Sequence, residues 1–174
     1  MARLSESIES KAEDLLKKSN ILNPSVSVRK IAKNLQIQLI PYDFGESVSG
    51  AILMEDNQVI IGFNPDEPVV RTRFTIAHEI GHFKLHGGGE SLFVDKHFYL
   101  RDENNTSGKR KEREANAFAA ALLMPRFMLK QSINSLLGTS KNMTDEDIVK
   151  NLAREYEVSQ IAMSYRLSNL NFFF

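Results

Sequence analysis

Cysteine is absent from this chain, and histidine occurs only four times in 174 residues. Without cysteine, disulfides and thiolate metal ligands are excluded, which is typical of proteins of the reducing cytoplasm. The 22 basic and 22 acidic side chains cancel, so no net charge attracts the protein to nucleic acid. We therefore expect a cytoplasmic protein that does not bind nucleic acid directly.

Long apolar runs are also missing. No stretch approaches the roughly 18 apolar residues that suggest a membrane-spanning helix. Met1 to Lys18 has charges throughout instead of the apolar core of a secretion signal. We expect neither export nor a membrane span. A hydrophobic content of 42% is enough for an ordinary core in a chain of this length.

The most informative motif is His78-Glu79-Ile80-Gly81-His82, inside a helix pattern from Phe74 to His86. Residues four apart lie on one helix face, about 6 Å along the axis, so His78 and His82 can bind one Zn²⁺ as neutral imidazoles. Glu79 would then act as general base on the zinc-bound water. Apolar residues on a second face predict a buried helix, where an unsatisfied His pair is unfavourable. A metal site is therefore favoured over a chance motif on a solvated helix.

A third protein ligand is needed to hold zinc and leave one position open. His86 lies about 12 Å along the axis from His78, too far for both to bind one ion. Because glycines follow it, we interpret His86 as the last residue of the helix, interacting with the helix dipole. His97 falls in a predicted loop or short strand and is interpreted as a surface residue.

A carboxylate from a later helix pattern is the better third ligand. Its apolar stripe consists of Ala115, Phe118, Ala119, Leu122 and Leu123. Glu112 lies on the edge of this stripe, whereas Glu114 points away and is the minor alternative. Asn116, one turn after Glu112, is interpreted as a hydrogen-bond partner of a metal ligand, with an ordinary surface amide as the alternative.

Two motifs extend the pattern around these residues. The first is Arg71-x-Arg73-Phe74-Thr75-Ile76-Ala77-His78-Glu79-Ile80-Gly81-His82-x-x-Leu85-His86. The second is Glu112-x-x-Ala115-Asn116-x-Phe118-Ala119-Ala120-x-Leu122-Leu123-Met124-Pro125. With Gly50-Ala51-Ile52 and Asn64 upstream, the chain resembles the ImmA/IrrE family of metallo-endopeptidases over about residues 25 to 130.

The resemblance implies a zincin-like site with His78, His82 and Glu112 as zinc ligands and Glu79 as catalytic base. It implies a zinc-dependent endopeptidase whose protein substrate is a DNA-binding repressor of a phage, mobile element or stress response. The alternative is a non-proteolytic regulatory protein-binding module, antitoxin-like or repressor-binding, that keeps the zincin fold. The intact motif argues against this alternative, because only the chemistry needs Glu79.

The remaining patterns predict an α+β fold, mainly helical with a small antiparallel sheet, and the family resemblance implies that this fold is zincin-like. Predicted helices are Leu4–Lys18, Ser27–Leu35, Pro125–Leu137 with Gly138 as its stop, and Gln160–Leu170; predicted strands are Ile37–Tyr42, Ser49–Met54 and Gln58–Phe63. The last two strands form a hairpin, which either pairs with a substrate backbone or is purely structural. We expect residues 1–138 to form the zincin-like metallopeptidase domain and residues 139–174 a helical extension packed on it.

The C-terminal region has two helix-start signals, Thr144 with Asp147 and Ser159. The two helices could form a helix-turn-helix, but Arg166 is the only basic residue of the second one, so packing or partner recognition is favoured over DNA binding. Candidates for stabilising a reaction oxyanion are Tyr42, His97 and Tyr99, none of them tied to the metal motif by spacing. The sequence indicates no oligomeric state.

Overall fold

The computed structural model describes residues 2–45, 48–55, 58–87, 91–96, 106–139 and 143–172, with only the backbone of residues 2–5 and 91–96. Within these ranges there are seven helices and one four-stranded sheet. The helices are α1 (Ala2–Lys18), α2 (Val28–Asn34), α3 (Val69–His86), α4 (Thr106–Leu123), α5 (Arg126–Thr139), α6 (Asp145–Tyr156) and α7 (Gln160–Asn169). The strands are β1 (Gln38–Pro41), β2 (Val48–Glu55), β3 (Gln58–Phe63) and β4 (Ser91–Lys96). The fold is α+β and mainly helical, as predicted.

The sheet has the strand order β1-β3-β2-β4 and is mixed. β2 is antiparallel to both β3 and β4, but β1 is parallel to β3, with Gln38 opposite Ile60. The prediction of a purely antiparallel sheet is therefore wrong. β4 pairs with the outer edge of β2, and β1 pairs with the outer edge of β3, which runs in the same direction. Residue periodicity contains no information about which edge is free.

The predicted hairpin is present as β2 and β3, and its turn at residues 56–57 lies outside the described residues. Both hairpin strands have a neighbour on each side, since β1 lies beside β3 and β4 lies beside β2. The hairpin therefore offers no open edge to a substrate within the described sheet. This arrangement favours its structural interpretation.

Helix α3 lies between the sheet and α4, and every residue from Thr75 to His82 is buried. It begins at Val69, directly after Pro68, and includes the whole predicted pattern from Phe74 to His86. Proline at a helix start is favourable because its missing N–H is not needed there. Burial on two sides explains why the central turns combine apolar side chains with the motif histidines.

The C-terminal helices pack into the same hydrophobic cluster as the rest of the chain, through Leu152, Tyr156, Met163 and Leu167 among others. Both predicted helix starts are confirmed: the Thr144 capping box opens α6 and the Ser159 side chain caps α7.

Helix α5 continues through Gly138, which does not adopt the left-handed conformation of a helix stop. The division of the chain into a metallopeptidase domain, residues 1–138, and a helical extension, residues 139–174, stays a prediction. Among the described helices, none is both long and apolar enough to cross a bilayer.

Candidate metal centre

Helix α3 brings His78 and His82 together on one buried face. Their side chains are 2% and 1% exposed, and their Nε2 atoms lie 3.0 Å apart. The rings meet edge to face with centroids 4.7 Å apart. This is the arrangement that four-residue spacing on a helix dictates, and it directs two imidazole nitrogens at a common point.

Glu112 approaches the two histidines from α4. One carboxylate oxygen lies 3.3 Å from His78 Nε2 and the other lies 3.2 Å from His82 Nε2. Burial alone would raise the pKa of Glu112, but the hydrogen bonds with His78 and His82 outweigh it and lower the pKa to about 2. Ligand atoms of the three residues all lie within 4.8 Å of one another. The predicted cluster is thus present in space.

Glu114, the alternative third ligand, lies elsewhere. Its carboxylate accepts a hydrogen bond from Arg110 at 2.7 Å and lies 3.7 Å from His86 Nε2. His86 is the last residue of α3, and its Nε2 lies 3.3 Å from the Lys111 carbonyl oxygen. Burial lowers the pKa of His86, which favours the neutral ring. Both residues therefore belong to a contact between the C-terminal end of α3 and the first half of α4.

Asn116 orients His78. The amide oxygen of Asn116 lies 3.0 Å from His78 Nδ1, so Nδ1 carries the proton in the tautomer that this contact favours. His78 Nε2 then presents a lone pair to the Glu112 carboxylate, so these two acceptors oppose each other unless a proton or a cation lies between them. The hydrogen bond that lowers the Glu112 pKa places a proton there, and a divalent metal bound by two imidazoles and one carboxylate fits the same position.

Glu79 lies on α3 between the two histidines and is fully buried. It is close to β2, because a Cβ atom added to Gly50 would lie 3.9 Å from Glu79 Oε1 and 2.4 Å from Thr75 Cγ2. Only a glycine permits this contact between strand and helix. The spacing of the motif predicts the position of Glu79, but the requirement for Gly50 emerges only from the packing of β2 on α3.

A second close approach joins α3 to α4 at Gly81. A Cβ atom there would lie 3.1 Å from the Ala115 carbonyl oxygen and 3.2 Å from Ala115 Cα. The absence of a side chain lets α4 come near enough for Glu112 to reach the histidines. A glycine in the middle of a helix, where it is intrinsically unfavourable, is the sequence signal for such a contact.

Of the three oxyanion candidates, Tyr42 is the one that falls among the described residues. Tyr42 follows β1, is 59% exposed and packs against Phe44 with ring centroids 4.8 Å apart. His97 and Tyr99 lie outside the described residues. None of them is placed at the candidate metal centre by the described structure.

The fold and the cluster define a mainly helical α+β protein with a candidate divalent-metal centre between two packed helices. The chain belongs to the peptidase family M78, the IrrE N-terminal-like domain, which matches residues 32–168. The ImmA/IrrE resemblance read from the two motifs is thereby confirmed.

The chain is also similar to individual proteins. Uncharacterized immunity region protein 2 of Bacillus phage phi105 is 26% identical over 128 residues, which cover 74% of this chain and 75% of that protein. The solved structure of a Mycobacterium tuberculosis transcriptional regulator matches with a TM-score of 0.61 at 15% identity, over 94% of this chain and 46% of that chain. The second likeness shows the fold alone, and this chain spans less than half of the length of that regulator.

Proposed function

We propose that this protein is a zinc-dependent endopeptidase that hydrolyses a peptide bond in a repressor-type transcriptional regulator. The observation that supports it most is the convergence of His78, His82 and Glu112, with Glu79 buried between the histidines on the same helix. Membership of the M78 peptidase family supports a hydrolytic role.

The spacing of the donor atoms supports zinc as the metal. Ligand atoms about 2.0–2.1 Å from a tetrahedral Zn²⁺ are about 3.3 Å from each other. The two Nε2 atoms are separated by 3.0 Å, and the carboxylate oxygens lie 3.2 and 3.3 Å from them. Three protein ligands leave a fourth position for water and substrate, as in catalytic zinc sites.

The residues of the chain divide the chemistry between them. His78, His82 and Glu112 hold the zinc ion, which when bound lowers the pKa of water and polarises a carbonyl group. Glu79 accepts the proton that water loses as its oxygen attacks the scissile carbonyl carbon. The same carboxyl group then gives that proton to the leaving amine nitrogen as the C–N bond breaks. Asn116 keeps the His78 ring in the tautomer that leaves Nε2 free to bind the metal.

The proposed substrate class follows from the similar proteins. The phage phi105 relative is named an immunity region protein, and the resemblance to the ImmA/IrrE family implies a repressor-type regulator as substrate. A DNA-binding repressor is therefore the proposed protein partner, and the cytoplasm, where repressors act, is the proposed location.

Substitution of Glu79 by Gln tests the proposal. Zinc per chain, measured by elemental analysis on protein purified without added metal, should be about one in both wild type and Glu79→Gln, because the base is not a ligand. Cleavage of candidate repressors, followed by gel electrophoresis and mass spectrometry, should occur with wild type only. A matched control is Glu114→Gln, which removes a carboxylate on α4 outside the cluster and should keep both zinc and cleavage.

Two results would contradict the proposal. Cleavage retained by Glu79→Gln would remove this residue as the base. Wild-type protein that stays free of zinc after controlled reloading, yet binds a repressor without cutting it, would instead support a non-proteolytic binding module.

A further inference from the structure

An open groove of about 710 Å³ lies between α1, α3, α4 and α7. Its apolar lining includes Ile8 of α1, Val70 and Phe74 of α3, Ala117 and Ala120 of α4, and Ala162 of α7. We call this site the α7 groove. Its volume is within the range of cavities that bind several side chains or a small ligand, and the metal chemistry uses none of its apolar residues.

The rim of the α7 groove exposes large apolar side chains. Ile161 is 72% exposed and Tyr165, one helical turn later, is 70% exposed. Val69, at the start of α3, is 71% exposed and lines the neighbouring depression together with Val70 and Val158. Apolar side chains clustered beside a groove mark a surface that binds another polypeptide more often than one that stays in water.

The charges around the α7 groove are mostly positive. The acidic residue of the lining is Glu9, which is neutralised by a bidentate ion pair with Arg166, one arm of which is 2.9 Å long. Arg126 lines the groove and Arg154 the neighbouring depression; both are exposed, and neither forms a salt bridge in the part of the chain that the structure describes. Glu157, the acidic residue among those lining the neighbouring depression, pairs with Arg73 at 3.2 Å. The surface therefore combines apolar contact area with two arginines that have no salt-bridge partner among the described residues.

The α7 groove adjoins the candidate metal centre. Asn116 lines the groove and also holds His78 Nδ1 at 3.0 Å. Phe74, another lining residue, has its ring centroid 6.4 Å from that of His78. The groove is lined by the first half of α3 and the second half of α4, whereas His78, His82 and Glu112 lie in the opposite halves of these helices. A polypeptide seated in the groove would lie next to the proposed site of cleavage.

We propose that the α7 groove docks an acidic amphipathic segment of the protein substrate, with its apolar side chains in the groove and its carboxylates on Arg126 and Arg154. This inference rests on the proposed peptidase function, since it assigns the occupant as the substrate. Nucleic acid fits the surface less well, because Arg166, the basic residue of α7, turns inward to Glu9 and to the Met124 carbonyl oxygen. The exposed residues of α7 at the groove are instead apolar or uncharged.

A displayed library of short random peptides tests this docking site without knowledge of the natural substrate. Selection uses the full chain with zinc and the Glu79→Gln substitution, so that bound peptides are not cut. We expect enriched peptides to combine Leu, Ile, Phe or Met at helical spacing with Asp and Glu. In fluorescence anisotropy, Ile161→Asp and Arg126→Glu should each weaken binding of the enriched peptides by about tenfold or more. Leu137→Asp, at an exposed leucine of α5 away from the groove, should change binding less than twofold.

Several outcomes would overturn the docking site. Selection of basic peptides, or of none, would do so, as would binding that Ile161→Asp and Arg126→Glu leave unchanged. If duplex DNA competes with the enriched peptides for the groove, the occupant would be nucleic acid and not a segment of a protein. A dimer in light scattering that Ile161→Asp dissociates would assign the surface to a second copy of the chain.

Zinc content and Glu79-dependent cleavage, measured on the same preparations, separate this inference from the proposed function. A protein that cleaves but selects no peptide contradicts the docking site alone. A protein that selects acidic peptides but holds no zinc contradicts the peptidase alone, and the occupant would then be a binding partner instead of a substrate.

Discussion

Glu112 is the residue that completes the candidate metal centre. Two imidazoles four residues apart on a helix can serve many purposes, but with a carboxylate 3.2 and 3.3 Å from their Nε2 atoms they form a donor set that fits a shared cation. With its pKa near 2, Glu112 is ionised throughout the neutral range and so adds a negative charge where a divalent cation needs one.

Replacement of this carboxylate should therefore abolish stoichiometric zinc binding. We expect Glu112→Ala to lower zinc affinity by more than the roughly 10- to 100-fold that loss of an outer hydrogen-bond partner causes, because a ligand itself is removed. Competition with a zinc-chelating dye measures the effect. Glu114→Ala is the matched control, two residues away on the same helix, and should keep wild-type affinity. Loss of zinc in Glu114→Ala alone would move the third ligand to that residue.

The residues of the candidate metal centre differ in how well the sequence alone predicts them. His78, Glu79 and His82 follow from helix geometry, which is local, and Glu112 follows from the edge of an apolar stripe on another helix. Selecting Glu112 over Glu114 needs only the 100° rotation per residue. The hydrogen bond that Asn116 accepts from His78 could be proposed, but its alternative, a surface amide, is excluded only by the packing of α4 on α3.

At the scale of elements, the close packing of α3 on α4 positions the site. Gly81 makes this packing possible, since the atoms that an added Cβ would meet at 3.1 and 3.2 Å belong to the Ala115 backbone. A backbone cannot move aside as a flexible side chain can. A methyl group at Gly81 would therefore separate the helices and draw Glu112 away from the two histidines.

We expect Gly81→Ala to reduce both stability and zinc affinity. Overpacking typically lowers the free energy of unfolding by about 1–3 kcal/mol, which exceeds the about 1 kcal/mol that alanine gains over glycine in a helix. Gly138→Ala, on α5 with no atom within 4 Å of the added Cβ, is the control and should be neutral or stabilising by up to about 1 kcal/mol. Urea unfolding of the metal-free proteins and zinc competition provide the two measurements. Equal stability of Gly81→Ala and Gly138→Ala would show that α4 can move away from the added methyl group without loss of stability.

The same scale shows where sequence patterns stop being informative. The capping box at Thr144 and the cap at Ser159 are found correctly because both involve residues three apart. The parallel pairing of β1 with β3 is not found, because it depends on which edge of the hairpin β1 joins, and this is a contact between segments distant in sequence. The alternation of residues in a strand reports its buried face and says nothing about its neighbours.

At the scale of the whole molecule, Arg166 links distant parts of the chain. Its guanidinium group, on α7, pairs with Glu9 of α1 and donates from Nε to the Met124 carbonyl oxygen at the end of α4, at 3.0 Å. The sequence suggests only a lone basic residue on a helix that resembles a DNA-reading element. Its burial, with 6% of the residue exposed, results from contacts 157 positions apart along the chain and cannot be read from local pattern.

Removal of this guanidinium group should destabilise the whole fold. Arg166→Met keeps much of the volume but leaves Glu9 without its partner and the Met124 carbonyl without its donor. Breaking a buried ion pair lowers the free energy of unfolding by about 3–5 kcal/mol, and we expect the lower end because the Glu9 side chain remains 16% exposed. Urea denaturation monitored by circular dichroism measures this change.

Arg154→Met, at an exposed arginine of α6, is the matched control and should change stability by less than about 0.5 kcal/mol. The double variant Arg166→Met with Glu9→Met should recover part of the loss, because no unpaired carboxylate is then left. If Arg166→Met were no more destabilising than Arg154→Met, α7 would be held by apolar packing alone, and the ion pair would not contribute to the position of the α7 groove.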